Sequence, residues 1–382
     1  MNALDWLKID AVNHYGYDKV SFEERIKFFD KGFDVSKADD PIQCYAAMEA
    51  YKEAIKGKSI GWGVTLDSTA SGMQIMAALV HDEKAAYLTN ITSNDRADAY
   101  TSLYQGMENK PSNITRKDMK DAIMTSLYGS VNEPKRVFGE HTNRFFEYMS
   151  KAIPDVWMAG KCLESLWDSS AIAHSWTMPD GFEVYKPIEK RITKQFQFRN
   201  EYFEYYKYEQ GSKKIGKSIG PDVIHSIDSL IVRELHRRCN YSHETVHKNL
   251  HVINGGSCSY TRKDIKTAEK LKKLYDETGF LSYAILEVMN KHTLAMFGEK
   301  TIAKMLKDMP IKAFPILAIH DSFKVHPNYA NDLREQYKQI IHQLLDSNLF
   351  QYFVRQITGT DIVIGINRTI TKEQANCYYA IC

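Results

Sequence analysis

Residues 313–327 read AFPILAIHDSFKVHP. The apolar run breaks at His320 and Asp321, then alternation resumes through Phe323 and Val325. This pattern predicts a hairpin of two short strands with a carboxylate at its buried tip. Burying even a neutral polar group without a partner costs roughly 2–7 kcal/mol, so Asp321 needs a partner or a cation close by. A second aspartate is delivered in the same way. GWGVTLDSTASGMQIMAALVHD (61–82) reads as a strand ending near Leu66, a tight small-residue turn and a helix through Leu79, with Asp67 at the strand end. Two carboxylates from separate strand tips, brought within about 4 Å, repel each other unless a divalent cation bridges them. Mg²⁺ suits such a pair because it takes oxygen ligands and keeps positions open for phosphate. Two such ions would clamp the attacking and leaving oxygens of an in-line phosphoryl transfer. Taken singly, each aspartate reads as an ordinary strand-end turn residue.

The segment RKDMKDAIMTSLYGS (116–130) adds a helix that runs until Gly129. Arg116, Lys120, Met124 and Tyr128 recur every four residues, and at about 100° per residue they drift by only about 40° each, so they share one face. Arginine and lysine there suit a triphosphate, and an aromatic farther along suits a sugar or base. The alternative is a solvated basic stripe with Met124 and Tyr128 in the core.

The rest of the chain sets bounds. Its 382 residues suffice for about two to three domains or one elaborate one. A hydrophobic share of 43% with 26% charged residues predicts an ordinary globular core. Fifty Lys and Arg against 48 Asp and Glu leave a formal charge of +2, so any basic surface must be local. The six cysteines, Cys44, Cys162, Cys239, Cys258, Cys377 and Cys382, form no C-x-x-C pair. That argues against a zinc site and for a reducing compartment. No apolar run approaches the roughly 18 residues of a membrane span, and MNALDWLKID lacks the apolar core of a signal peptide.

VSFEERIKFF (20–29) opens a helix with Ser21 as N-cap and Glu24 closing a capping box. DDPIQCYAAMEAYKEAIKG (39–57) is a second helix with Gly57 as its stop. Alternation in KQFQFRNEYFEYYKY (194–208) predicts strands within 182–208, and residues 239–310 read as Lys-rich and mostly helical. The fold class expected is α+β.

Motif by motif, the chain resembles the single-subunit, phage-type RNA polymerases, relatives of the family A DNA polymerases. LDSTASGMQ is similar to their motif A, RKDMKDAIMTSLYGS to motif B and IHDSF to motif C, in the family's order. GYDKVSFEERIKFF, TMPDG (177–181) and GPDVIHSID (220–228) also have counterparts, so the resemblance covers about four-fifths of the chain. It implies the palm and fingers of a right-hand polymerase fold. Palm would occupy residues 1–92 and 226–382, fingers 93–225, with a promoter-reading hairpin at about 182–214 and an insertion of no assigned role at about 239–310.

By the same resemblance Asp67 and Asp321 bind two Mg²⁺, with Ser68 offering its main-chain carbonyl. Many members have glycine directly after this aspartate, so Ser68 is a small departure. Arg116 and Lys120 hold the triphosphate, Lys120 being the proton donor to pyrophosphate. Tyr128 senses the sugar, His225 touches the nascent pair, and Tyr100 lies near the template. Gly72 stands where the DNA polymerases carry a glutamate against the 2′-hydroxyl, and Met124 where they carry an aromatic residue. Both differences favour ribonucleotides.

The function expected is DNA-directed RNA polymerase. A family A-like DNA polymerase or an inactive DNA-binding subunit is the alternative. Template DNA, nascent RNA and ribonucleoside triphosphates are the expected partners. A thumb and a large amino-terminal domain lack counterparts here. A second polypeptide supplying them, in a heterodimer, is therefore expected, with DNA-opening accessory factors. The setting implied is the cytoplasm of a bacterial host infected by a bacteriophage.

Overall fold

The computed structural model describes residues 1–382. Helices make the bulk, and seven strands form three small antiparallel sheets, an α+β arrangement. The strands are β1 (Val64–Asp67), β2 (Ala173–Thr177), β3 (Glu183–Pro187), β4 (Glu189–Phe198), β5 (Glu201–Gln210), β6 (Leu317–Ile319) and β7 (Ser322–Val325).

Local chemistry sets the helix ends that position the cleft. Ser21 and Glu24 form the expected capping box at the start of Phe22–Lys31. Asp40 caps Pro41–Ile55, with proline in the first turn where its missing N–H costs nothing. Thr115 and Asp118 make a reciprocal box at Arg116–Leu127. That helix stops two residues short of Gly129. The amides of Tyr128 and Gly129 reach back only three residues, to Thr125 and Ser126, and Gly129 turns the chain at φ +78°.

The functional sheet has the order β1–β7–β6, with Leu66 opposite Phe323 and Asp67 opposite Ser322. Val64, Leu66, Phe323 and Val325 face inward and are buried. At roughly 1.5–3 kcal/mol per fully buried side chain, these four fix which face of the sheet meets the core. Helices Ser71–Val80, Ile219–Cys239 and Ala330–Asp346 pack on one another beneath it. Ser71–Val80 is apolar nearly all round, and Met73 through Val80 are all buried.

The hairpin of residues 313–327 is shorter than expected, and its first strand lies at the sheet edge. Phe314 and Ile316 are buried, but the strand begins only at Leu317, and Leu317 and Ile319 are 58% and 64% exposed. Asp321 is half-exposed and Asp67 exposed. The heavy burial cost expected for Asp321 does not arise, because the turn opens onto a cleft. His320 takes φ +56° in that two-residue turn, which closes between Ile319 and Ser322.

The β4–β5 hairpin is two ten-residue strands in continuous register, from Glu189 opposite Gln210 to Phe198 opposite Glu201. Nearly every side chain on it is exposed. Its aromatic residues meet one another: Phe196 stacks on Phe203 at 5.5 Å, and the Arg191 guanidinium lies 4.0 Å from the Tyr206 ring. They do not pack onto neighbouring helices.

Residues 239–310 build a core of their own around Val252, Leu271, Tyr283, Ile285, Ile302 and Met305. Leu274 and Phe280 join the main core across the seam, and a polar cluster lies beside them. Buried Glu234 accepts from the Ser282 hydroxyl at 2.5 Å and the Tyr283 amide at 3.1 Å, and pairs with Arg238. All six cysteines are free, and no helix is long and apolar enough to cross a membrane.

Candidate active site

Strand pairing brings Asp67 and Asp321 to one end of the sheet. The next residue, Ser68, donates its amide to the Asp321 carbonyl at 3.2 Å and its hydroxyl to Asp321 Oδ2 at 3.1 Å. Asp67 exchanges two backbone hydrogen bonds with Cys382, and Ser68 bridges Ile381, so a third segment braces the strand end. Ala70 closes the turn at φ +51° before the helix begins. Strain of this kind persists only where surrounding contacts hold it.

These residues open onto a cleft of about 520 Å³. Asp67, Ser68, Gly72, Tyr100, Arg116, Lys120, Met124, Tyr128 and Asp321 all line it, so the sequence-expected site comes together almost whole. His225 is outside that lining but adjoins it, exposed, with its ring 5.7 Å from Tyr128. It is not a buried core histidine. The helix Arg116–Leu127 buries Met119, Ala122, Ile123, Ser126 and Leu127 and turns Lys120 and Met124 outward. The alternative with Met124 in the core does not hold.

The cationic wall is only partly committed. Arg116 makes a two-pronged pair with Asp98, Nε to Oδ2 and Nη2 to Oδ1 both at 2.8 Å, while Lys120 has no ion-pair partner. The Lys120 ammonium lies 5.7 Å from the Tyr100 ring and the Arg116 guanidinium 5.8 Å. Burial and the negative charges of Asp321 and Asp98 push the Tyr100 hydroxyl up to about 12. It therefore stays protonated as a hydrogen-bond donor.

Gly72 and Tyr128 fit each other directly. A Cβ at Gly72 would stand 2.1 Å from the Tyr128 hydroxyl oxygen. Any larger residue at 72 must displace that ring. Burial, with Asp228 and Asp321 nearby, raises the Tyr128 hydroxyl well above its ordinary range.

Sequence reasoning missed three groups. Arg96 lines the cleft as a further cation. Asp228, three residues beyond His225 on the same helix, is held up to about 7 by burial and the charge of Asp321, against a hydrogen bond from Ser71. The i, i+3 spacing from His225 was its available signal. Asp10 and His14 also line the cleft. Asp10 is 1% exposed and accepts from Trp62 Nε1 and the Thr65 amide, both at 2.8 Å.

Two carboxylates with adjacent main-chain and hydroxyl oxygens suit a hard divalent ion that keeps most positions for water and phosphate. No group of three or more His, Cys, Asp or Glu side chains forms a closed metal cage in the chain. That donor set fits Mg²⁺ bound jointly with a nucleotide better than a structural metal.

Comparison with known proteins finds similarity over part of the chain. Residues 1–137 match the family described as DNA-dependent RNA polymerase. The matched stretch contains Asp67, Gly72 and the helix Arg116–Leu127. A mitochondrial DNA-directed RNA polymerase of Neurospora crassa is 30% identical over 123 residues, covering 27% of this chain and 9% of that protein. The chain thus aligns with under a tenth of that relative's length. The relative also corrects one expectation: it is a mitochondrial enzyme, which stands against the cytoplasm of an infected bacterial host.

Proposed function

We propose that this chain is the catalytic part of a DNA-directed RNA polymerase, joining ribonucleoside triphosphates to an RNA 3′ end on a DNA template. The observation that carries the reading is the juxtaposition of Asp67 and Asp321, from strand ends far apart in sequence, across one cleft from Arg116 and Lys120. In this reading β1, β6 and β7 belong to a palm and residues 93–225 to fingers.

Asp67, Asp321 and the Ser68 carbonyl would hold two Mg²⁺, which supply charge neutralisation at the reacting phosphate and lower the pKa of the attacking hydroxyl. The chain's own residues do the remainder. Lys120 and the free Nη1 of Arg116 bind the triphosphate, with Arg96 adding charge. Lys120 then delivers a proton to the departing pyrophosphate. Tyr128 presents its hydroxyl to the sugar, and Gly72 leaves that hydroxyl its place. Met124 adds an apolar contact, and Tyr100 lines the template side. His225, beside Tyr128, touches the nascent pair.

The fit of Gly72 against Tyr128 favours ribonucleotides over the DNA polymerase alternative, because a glutamate at 72 could not coexist with this tyrosine position. An inactive subunit is disfavoured by the intact pair of aspartates and the unpaired Lys120.

The β4–β5 hairpin, with basic and aromatic side chains on open strands, serves promoter contacts in this reading. A second polypeptide, in a heterodimer, would hold the nucleic acid across the open cleft, with DNA-opening factors acting at promoters. Exposed Leu317 and Ile319 on the edge strand beside the cleft give such a partner an apolar contact.

The test is extension of an RNA primer annealed to DNA by the purified chain in Mg²⁺, with ribo- and deoxyribonucleotides compared. Preferred ribonucleotide addition is expected. Preferred deoxyribonucleotide addition would select the alternative enzyme, and co-purification with no synthesis in any reconstituted complex would select the inactive one.

A further inference from the structure

Residues 239–310 carry eleven Lys and Arg against eight Asp and Glu, whereas the rest of the chain carries 39 against 40. The excess positive charge of the molecule therefore lies in this segment, and most of it on one helix, Arg262–Thr278. Nothing in the function proposed above uses that helix.

The charge is sorted by face. Leu271 is buried in the local core and Leu274 in the main one, so the helix is fixed against both. Lys263, Lys266, Lys270 and Lys273, spaced three, four and three residues apart, share another face and are all exposed. The Asp264 carboxylate is taken up by the Thr261 cap. Lys263 and Lys266 have no ion-pair partner, Lys273 has Glu277 at 3.8 Å, and Lys270 holds Glu183 at 2.7 Å and the Gly181 carbonyl at 3.2 Å. Exposed pairs of this kind are weak and give way to a stronger anion. Like charges three and four residues apart weaken a helix. Four of them kept together on a firmly held face suit a polyanion.

The dimensions fit a duplex backbone. From Lys263 to Lys273 the helix rises about 15 Å, and one strand of B-DNA presents a phosphate about every 3.4 Å along its axis, so about four phosphates match four lysines. No aromatic side chain of the helix shares this face, which leaves the unpaired bases of a single strand nothing to stack on. The face is also tied to the border of the cleft. Lys270 meets the loop of Gly181 and Glu183, and Asp180 of that loop is clamped by Arg233 at 2.5 Å and Arg237 at 2.9 Å. Both arginines belong to the helix Ile219–Cys239, which carries His225 beside the cleft. Arg233 lies eight residues past His225, about 12 Å along the axis. We propose that Lys263, Lys266, Lys270 and Lys273 form a DNA-binding surface outside the cleft, holding the phosphate backbone of duplex template without reading its sequence. This assignment rests on the polymerase reading and gives residues 239–310 a role in it.

The experiment follows binding of the purified chain to a labelled, promoter-free DNA duplex of about 30 base pairs by fluorescence anisotropy, between about 50 and 200 mM salt. Each lost phosphate contact reduces the steepness of log K against log salt by about 0.9. Changing Lys263, Lys266, Lys270 and Lys273 together to alanine should therefore reduce it by about 3.6, and Lys263→Ala with Lys266→Ala by about 1.8. Tm should stay near that of wild type, because all four side chains are exposed. Lys300→Ala with Lys307→Ala removes two exposed charges from another helix of the segment and should leave the slope unchanged. An unchanged slope in the fourfold variant would overturn the proposal. So would an equal reduction in the Lys263/Lys266 and Lys300/Lys307 variants, or a reduction seen with single-stranded DNA and not with duplex. Failure of wild-type protein to bind any duplex is a different result and would count against the polymerase reading itself.

Discussion

The β1–β7–β6 sheet and the β4–β5 hairpin are both antiparallel and are both assigned nucleic-acid contacts in the proposed function, yet they are stabilised in opposite ways. At the sheet, Asp67 and Asp321 stand on buried Leu66, Phe323 and Val325, and the strand end is braced by Ser68, Cys382 and Ile381. In the hairpin, ten-residue strands pair with each other, are tied to the rest of the chain at Gln210, and leave both faces open. An isolated two-stranded hairpin is marginal in water. The first region holds its geometry before substrate arrives. The second has contact surface to spare.

The largest effect is expected at the braced end. Lys120→Ala should reduce the ribonucleotide addition rate by about 10²–10⁴-fold, the usual range for a lost general acid, with little change in Tm because the side chain is exposed. A rate within threefold of wild type would remove Lys120 from the chemistry.

Next comes Gly72→Ala. The added methyl must push the Tyr128 hydroxyl aside, so discrimination between ribo- and deoxyribonucleotides, as the ratio of kcat/KM, should fall about tenfold. Tyr128→Phe should lower the same ratio, and the double variant should show less than the sum of the two effects. Additive effects would mean that the two residues act independently.

Asp228, which faces the cleft end of the sheet, affects stability. Its carboxyl is raised to about 7 in the folded chain, whereas a free aspartate titrates near about 3.9. A raised pKa means the folded state binds the proton more tightly. The stability this gives is complete below about pH 4 and is lost as pH rises toward 7, at most about 4 kcal/mol by linkage. In chelator, Tm should fall between pH 5 and 8, and Asp228→Asn should flatten that slope. An unchanged slope would show that Asp228 ionises freely.

The smallest effect on stability belongs to the hairpin. Alanine at Arg191, Phe196, Tyr206 and Tyr208 should change unfolding free energy by only about 0.5 kcal/mol per site. Promoter-dependent initiation should still fall more than extension of a primed template. Equal loss in both would argue against a promoter role.

What the sequence disclosed follows the same division. Signals within a few residues were legible: the Ser21–Glu24 box, Pro41 in a first turn, and the four-residue spacing from Arg116 to Tyr128. The two aspartates at strand ends were legible for the same reason. Contacts made across the chain were not. Nothing near Asp10 indicates that Trp62 and the Thr65 amide will enclose it, and nothing near Asp67 indicates pairing with Cys382. The tip of the 313–327 hairpin read as buried because a sequence pattern does not reveal that a strand lies at a sheet edge beside a cleft. Asp228 lay in a segment read for His225 alone, and its raised pKa depends on Asp321, distant in sequence but close in the fold.

In the proposed function Asp67 and Asp321 form one catalytic centre for ribonucleotide addition. The most direct test is single-turnover extension of an RNA primer on a DNA template at saturating Mg²⁺ and nucleotide, comparing wild type with Asp321→Asn and Asp67→Asn. Removing one carboxylate charge without changing volume should abolish extension in each variant, while primer–template affinity and Tm stay near wild type. Extension by either variant at a rate near that of wild type would contradict the claim.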